Sequence, residues 1–408
     1  MKSCEGTIIS ASKDDESETY LLELDRTVFF PEGGGQPSDT GYIAGSFGEL
    51  EVTEVFEKDD NIYHRVNPLQ KNDSNGSTSF PRNLAGEAVS CRLDWDRRFS
   101  HMQRHCGEHI LSAVFDCLYG GVNRGFHMGE DYMTIDISLE KKTDFTDMTE
   151  DMIRKAEWAS NKMIWDNLPV SVRYFADREE AAAQPVRKPI SIDGDIILVC
   201  VGDESISSGC VACCGTHPHS TGEVGLIKIY RWESYKGMTR ITFDAGPNAL
   251  LSCRNDAALI KELSAQYSSD PKLLSENIKK REQKNNEIRQ ELYGLKQAYL
   301  SDRASEISGM LTGPARVIIK EHELLKTDDL LNLAKMLPDA SGKLIALVSI
   351  RENTLILISS GTPDCNKIVK DNAGVWNGKG GGRPNSARAM FPTKDNLDCF
   401  TEYLTKAY

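Results

Sequence analysis

Three histidines, His101, His105 and His109, recur at intervals of four within "SHMQRHCGEHIL", residues 100–111. Four residues advance an α-helix by about 400°, so the three imidazoles fall along one slowly drifting stripe. His105 and His109 give His-x-x-x-His, two imidazoles one turn apart that can grip a single ion. A second pair of donors stands in "GCVACCGTHPHSTGEVGLIKI", where Cys213 and His217 form Cys-x-x-x-His just ahead of a strand-like run. Two helical nitrogens with a thiolate and an imidazole from a loop make the tetrahedral set that Zn2+ prefers. Residue types alone leave other sets open. Cys210 with Cys213 is a Cys-x-x-Cys, Cys214 is adjacent, His219 follows His217 by two, and His101 can replace either helical partner. Four protein ligands close the coordination sphere, so a folding zinc competes with a catalytic one.

These donors need elements to hold them. Residues 1 to about 65 contain β-rich runs, "GTIISA", "TYLLELDRTVFF", "GYIAGSF", "ELEVTEVF" and "NIYHRV", parted by Gly, Asp and Asn turns. Such short strands predict a small barrel or sandwich. The polar stretch from Asn67 to Asn83 predicts a loop, and "EAVSCRLDW" a further strand. Helical spacing runs from Arg97 through Tyr119 and returns in "DMTEDMIRKAEWASNKMIWDN", with a cap signature at its start. Strand-like "DYMTIDISL", "DIILVCVGD" and "VGLIKIYRWESYKGMTRITFDAG" complete an α+β domain over residues 90 to 247.

Beyond it, Asn255 to Ser301 is polar and helical, with Leu274, Ile278, Ile288, Leu292, Leu295 and Tyr299 at heptad-like intervals. Arg281 and Asn285 interrupt that seam and Pro271 marks a break, which suits an antiparallel helical hairpin better than a long coiled coil. The remainder alternates strands ("PARVIIK", "KLIALVSI", "TLILIS") with a helix near Thr327 to Met336, a small α/β pattern.

A chain of 408 residues exceeds one ordinary core, and roughly two to four domains are expected. No apolar run approaches the ~18 residues of a membrane span. The opening "MKSCEGTIISASKDDESETY" has neither a signal-peptide core nor transit character, so a cytoplasmic location is expected. The eleven cysteines then read as reduced thiols, most of them, like Cys117, Cys200 and Cys399, small buried side chains. A net charge of -13 argues against indiscriminate attraction to polyphosphate, though it leaves room for a local basic patch.

"HCGEHIL" together with "CCGTHPHSTGEVGLIKI" resembles the editing domain of alanyl-tRNA synthetases and of the free-standing AlaX editing proteins. "RTVFFPEGGGQPSDTG", residues 26–41, resembles the glycine-rich segment that borders the editing site in that family. "GFHMGEDYMTIDISL" is similar to the strand after the metal helix, and "NGKGGGRPNSARAMF" to the Gly-Gly-Gly-Arg-Pro motif of the domain that follows the helical hairpin. The matches run from about residue 26 to residue 390 in the family's order, starting at the barrel with no room for an aminoacylation domain. The chain thus looks like the long, trans-acting editing protein.

The resemblance implies an α+β multidomain chain: a glycine-motif β-barrel domain (1–90), a zinc-containing editing domain (91–250), a helical hairpin (251–305) and a C-terminal α/β domain (306–408). It selects His105, His109, Cys213 and His217 as ligands of one Zn2+ and makes His101 a bystander. It implies hydrolysis of misacylated tRNA(Ala), chiefly carrying serine and also glycine, with tRNA(Ala) as partner, neither membrane nor DNA, and, at family level only, ATP binding. Gly33, Gly34, Gly35, Thr216, Lys379 and Arg383 become substrate or tRNA contacts, the last two beside bare glycine amides suited to phosphate. No catalytic group is fixed; the candidates near the site are Glu108, His127 and Gln36, with His127 facing the acyl pocket. Glu108 either attracts the substrate ammonium or faces solvent. Cys106 stands where the family often has Thr, which bears on substrate range. The alternative is a non-catalytic tRNA-binding protein with a structural zinc. A DHH-type phosphoesterase ranks last, since no Asp-His-His occurs.

Overall fold

The computed structural model describes residues 1–14, 19–68, 84–140, 147–190, 194–202, 210–340 and 342–408. They divide into two compact units, Met1–Glu262 and Leu263–Tyr408.

The first unit opens with β1 (Ser3–Lys13), β2 (Tyr20–Leu24), β3 (Gly41–Gly45), β4 (Gly48–Lys58), β5 (Asn61–Pro68) and β6 (Ala88–Leu93). These strands close into an antiparallel barrel in the order β1-β2-β5-β4-β3-β6. Period-two patterning drives the closure. In β6, Val89, Cys91 and Leu93 are buried while Ala88, Ser90 and Arg92 are exposed, and Ile8, Leu22, Ile43, Val52 and Val66 fill the interior. β5 extends through Asn67 and Pro68, two residues into the stretch expected to be loop; the rest of that stretch, with "NDSNGSTSF", lies outside the described residues.

Next come α1 (Trp95–Tyr119), β7 (Val122–Met128), β8 (Met133–Ser138), α2 (Glu150–Trp165), β9 (Val170–Phe175), α3 (Arg178–Ala182), β10 (Ile196–Val201), β11 (Cys210–Ala212), β12 (Ile227–Tyr235), β13 (Met238–Ala245) and α4 (Gly246–Tyr267). α1 starts two residues earlier than its apolar spacing suggests, because the Asp94 side chain caps it by accepting from the Arg97 amide at 3.1 Å. It ends where Gly120, at φ 63°, turns left-handed. Between those caps α1 is buried over most of its length, against α2 and the sheet β12-β13-β8-β7. The shared core joins Ile110, Leu111 and Phe115 to Ile135, Ile153 and Phe243. Thr149 caps α2 by accepting from the Met152 amide.

A separate sheet, β11-β10-β9, carries its own small core with Ala181, Ile196 and Leu198. Its register sets Cys200 directly across from Cys210, and the two form a disulfide. The reading of every cysteine as a reduced thiol is therefore corrected for this pair, whose juxtaposition is a product of strand pairing that no spacing rule announces; Cys117 and Cys399, expected to be buried, are exposed.

The second unit holds α5 (Leu274–Leu311), β14 (Val317–His322), α6 (Thr327–Met336), β15 (Leu344–Ser349), β16 (Thr354–Ile358), α7 (Cys365–Asn372), β17 (Lys379–Arg383), β18 (Ser386–Met390) and α8 (Lys394–Ala407). Its sheet runs β14-β15-β16-β18-β17, with only β14 and β15 parallel. Two cores lie on it. Leu300, Ile307 and Leu330 belong to one and Ile368, Leu397 and Phe400 to the other, a helix-sheet-helix sandwich. α4 and α5 flank the break expected near Pro271. Among the described residues no helix is long and apolar enough to cross a membrane.

Candidate metal centre

The buried face of α1 presents His105 and His109 to the loop that follows β11. That loop is fixed at both ends. The Cys213 amide donates to Ile197 O at 3.0 Å, and Thr221 donates through its hydroxyl to Met163 O at 2.7 Å. Gly222 sits against Asn167, whose side-chain oxygen would lie 2.3 Å from an added Cβ. The loop thereby brings Cys213 and His217 onto the helix.

Cys213 Sγ lies 3.4 Å from His105 Nε2 and 3.4 Å from His217 Nε2. The four ligand atoms of His105, His109, Cys213 and His217 all lie within 4.8 Å of one another. Zinc bonds of about 2.3 Å to sulfur and 2.0–2.1 Å to nitrogen imply an S-to-N tetrahedron edge of about 3.5 Å, so both sulfur contacts suit a shared ion. The buried Nε2 of His109 has no hydrogen-bond partner, as a nitrogen reserved for a metal requires. Donor types and spacing therefore fit a metal ion. Of the sets left open by residue types, His101 and His219 lie outside the cluster, Cys210 is in the disulfide, and Cys214 packs against Gly34.

Each helical ligand has an outer partner. His105 Nδ1 pairs with Gln36 Oε1 at 3.0 Å, which directs Nε2 to the centre. Gln36 arrives there through the triple glycine. Gly33 and Gln36 exchange backbone hydrogen bonds across a tight turn whose central residues, Gly34 and Gly35, have φ of 59° and 79°, a conformation that glycine adopts without strain. Asp39, three residues on, grips Arg98 of α1 through two oxygens and caps the Phe30 amide. The glycine-rich segment is thus bolted to the metal helix. Gln36 is fully buried and also binds Thr216, so both residues brace the site from within.

On the other ligand, Glu108 Oε2 lies 2.6 Å from His109 Nδ1, while its Oε1 accepts from Ser112 and Asn123 at 2.6 and 2.7 Å. Glu108 is buried, which removes the solvent-facing alternative, and its oxygens are already engaged. His127 is exposed and absent from the cavity lining; its neighbour Phe126 lines the cavity and stacks on His105 at 5.4 Å. The cavity-facing position expected of His127 is held instead by Phe126, because adjacent strand residues point to opposite faces. The cavity, about 370 Å³, is also lined by Gly34, Arg187, Lys188, Ile197 and Val211. Lys379 and Arg383 are exposed on β17 of the second unit.

Burial alone would raise the Cys213 thiol, but the charge on His109 and the contacts of the sulfur with His105 and His217 pull it down to about 3. Burial would lower His109, yet Glu108 and Cys213 raise it to about 9. The metal-free centre is accordingly a thiolate-imidazolium cluster at neutral pH. His109 must shed its proton to ligate, so metal affinity should rise with pH until about 9. Titration calorimetry at pH 7 in buffers of different ionisation enthalpy should read about one proton released per metal bound; zero would contradict this protonation state.

Three family descriptions match the chain in order: tRNA synthetases class II (A) over residues 5–94, the Threonyl and Alanyl tRNA synthetase second additional domain over 198–242, and the DHHA1 domain over 315–408. Barrel, histidine-cysteine centre and mixed sheet thus define a chain of the alanyl-tRNA synthetase class of architecture. The alanyl-tRNA editing protein AlaX-L of Pyrococcus horikoshii is 30% identical over 93% of this chain and 90% of its own length. AlaX-M of Methanosarcina acetivorans is 33% identical over 56% of this chain and 87% of its own. An alanine–tRNA ligase of Methanoculleus marisnigri is 28% identical over 94% of this chain, which spans 40% of that ligase. The chain belongs to the alanyl-tRNA editing protein family, in its long form.

Proposed function

We propose that this chain is a zinc-dependent, trans-acting hydrolase that removes wrongly attached amino acids from tRNA(Ala), serine first and glycine second. The observation that carries this is the three-histidine, one-cysteine centre opening on a cavity, within a chain alignable almost end to end with an editing protein. Zinc, bound by His105, His109, Cys213 and His217, supplies fixed positive charge beside the ester. The chain's residues do the rest. Gln36 and Glu108 hold the ligating rings, and Phe126, Ile197 and Val211 supply the apolar part of the cavity lining. Glu108 works by orienting His109, since its oxygens are occupied; the attacking water has no assigned side-chain base. Residues 1–90 serve as barrel domain, 91–250 as editing domain, 251–305 as helical hairpin and 306–408 as C-terminal domain. Gly33 to Gly35 and Thr216 shape the acceptor-end wall, and Lys379 and Arg383 contact tRNA phosphates.

A second pocket is the expected remedy where side chains differ by one small group and binding alone discriminates weakly. Metal-loaded protein is expected to deacylate Ser-tRNA(Ala) fastest, Gly-tRNA(Ala) more slowly, and to spare Ala-tRNA(Ala). Chelation should abolish turnover with circular dichroism retained. Tight tRNA binding without ester cleavage, together with unfolding on chelation, would instead establish a structural zinc in a non-catalytic tRNA-binding protein.

A further inference from the structure

The cavity carries two cations that the metal centre does not consume. Arg187 and Lys188 line it together with His105, His109 and Cys213. Arg187 Nη1 donates to the His109 carbonyl at 2.9 Å, whereas its Nε is sealed from water without a hydrogen-bond partner. Among the described residues no carboxylate forms an ion pair with either side chain. Arg124, also in the lining, is paired with Glu140. Of the lining carboxylates, Glu108 is committed to His109, Ser112 and Asn123, and Asp195 is exposed. The cationic pair is built on a fixed strap: the Arg187 amide donates to Cys210 O at 2.8 Å, beside the Cys200–Cys210 disulfide.

An aminoacyl ester on a terminal nucleotide bears a cationic ammonium on its acyl side and an anionic phosphodiester across the ribose. Two half-buried cations repel the first and attract the second, and a planar guanidinium suits phosphate oxygens. We propose that Arg187 and Lys188 form a subsite for the phosphodiester that joins the last two nucleotides of the substrate. This rests on the reading of the cavity as an aminoacyl-ester site. Because the same guanidinium holds the His109 carbonyl, phosphate seated there is registered against the metal helix.

Titration calorimetry on the metal-loaded full chain tests it with 3'-deoxy-3'-(L-serylamino)adenosine, with and without a 5'-phosphate. The phosphate is expected to tighten wild-type binding about ten- to a hundredfold, the scale of charge-assisted hydrogen bonds. Lys188→Gln and Arg187→Gln should lose that gain while still binding the unphosphorylated analogue, which also reports their folding. Should Arg187→Gln not fold, Arg187→Lys, which keeps charge but loses the fork, should show a reduced gain. An undiminished phosphate gain in Lys188→Gln and in the Arg187 variant overturns the subsite. A wild type that binds the unphosphorylated analogue but gains nothing from phosphate sinks the subsite alone; a wild type that binds neither sinks the ester-site reading and the subsite with it.

Discussion

Cys213→Ala is expected to fold and to lose its metal, with affinity lower by at least about a hundredfold. Losing a mere outer partner of a metal ligand costs about 10–100-fold, and Cys213 is both a proposed direct ligand and the only cysteine of the cluster. Its removal also leaves three imidazoles, of which His217 is already held down to about 4 by burial, without the anion that offsets a divalent charge. Folding should survive, because α1 is anchored elsewhere, by the buried Arg104–Asp244 pair and by Ile110, Leu111 and Phe115 in the core. Metal per chain after gel filtration, with a thermal melt alongside, reads both effects. His101→Ala serves as the control. His101 sits one turn before His105, neutral because burial and flanking arginines lower it to about 4, and outside the cluster. Equal metal loss in His101→Ala, or full occupancy in Cys213→Ala, would refute the ligand assignment.

The parts of this centre written in local spacing were legible in the sequence, and the parts created by tertiary contact were not. His-x-x-x-His declares a helix face, Cys-x-x-x-His declares a loop pair, and a triple glycine declares a tight turn. Resemblance then joined these segments. What Gln36 does there follows only from the turn at Gly34 and Gly35, which carries it to His105. Glu108 stayed open between the site and solvent because a lone helical carboxylate usually meets water, whereas Ser112, four residues on, was the available hint of a buried network. His127 and Phe126 were confused because a one-residue shift on a strand reverses the facing side, and the register shift in β7 between Asn123 and Gly125 is invisible before pairing. Arg187 and Lys188 had only "QPVRKP" to mark them, two cations between prolines with no period to read. The barrel and the C-terminal sheet were easier, since β6 and β15 respectively show alternation and full burial, the patterns that half-exposed and central strands must have.

Gly215→Ala should damage the centre through a single methyl group. A Cβ there would stand 2.2 Å from His105 Cε1, 2.3 Å from its Nδ1 and 3.1 Å from Gln36 Oε1. The ring cannot step aside, being held by Gln36 on one nitrogen, by the Cys213 sulfur near the other and by Phe126 across its face. Backbone strain plays no part, as Gly215 is not among the glycines with positive φ. Overpacking of this kind costs about 1–3 kcal/mol, or a fall in Tm of roughly 2–4 °C per kcal/mol for a unit of this size. The larger expected effect is on the metal. Displacing the His105 ring or the Cys213–Gly215 backbone moves a ligand, and an affinity loss near a hundredfold should follow. Gly237→Ala separates the two consequences. Gly237 lies at the β12–β13 turn with φ 76° and open space around its missing side chain, so alanine there should cost stability through strain and leave metal content unchanged. If both variants keep one metal per chain, the close approach of Gly215 to His105 does not govern the centre; if only Gly215→Ala loses it, that glycine is part of the metal site although it supplies no ligand.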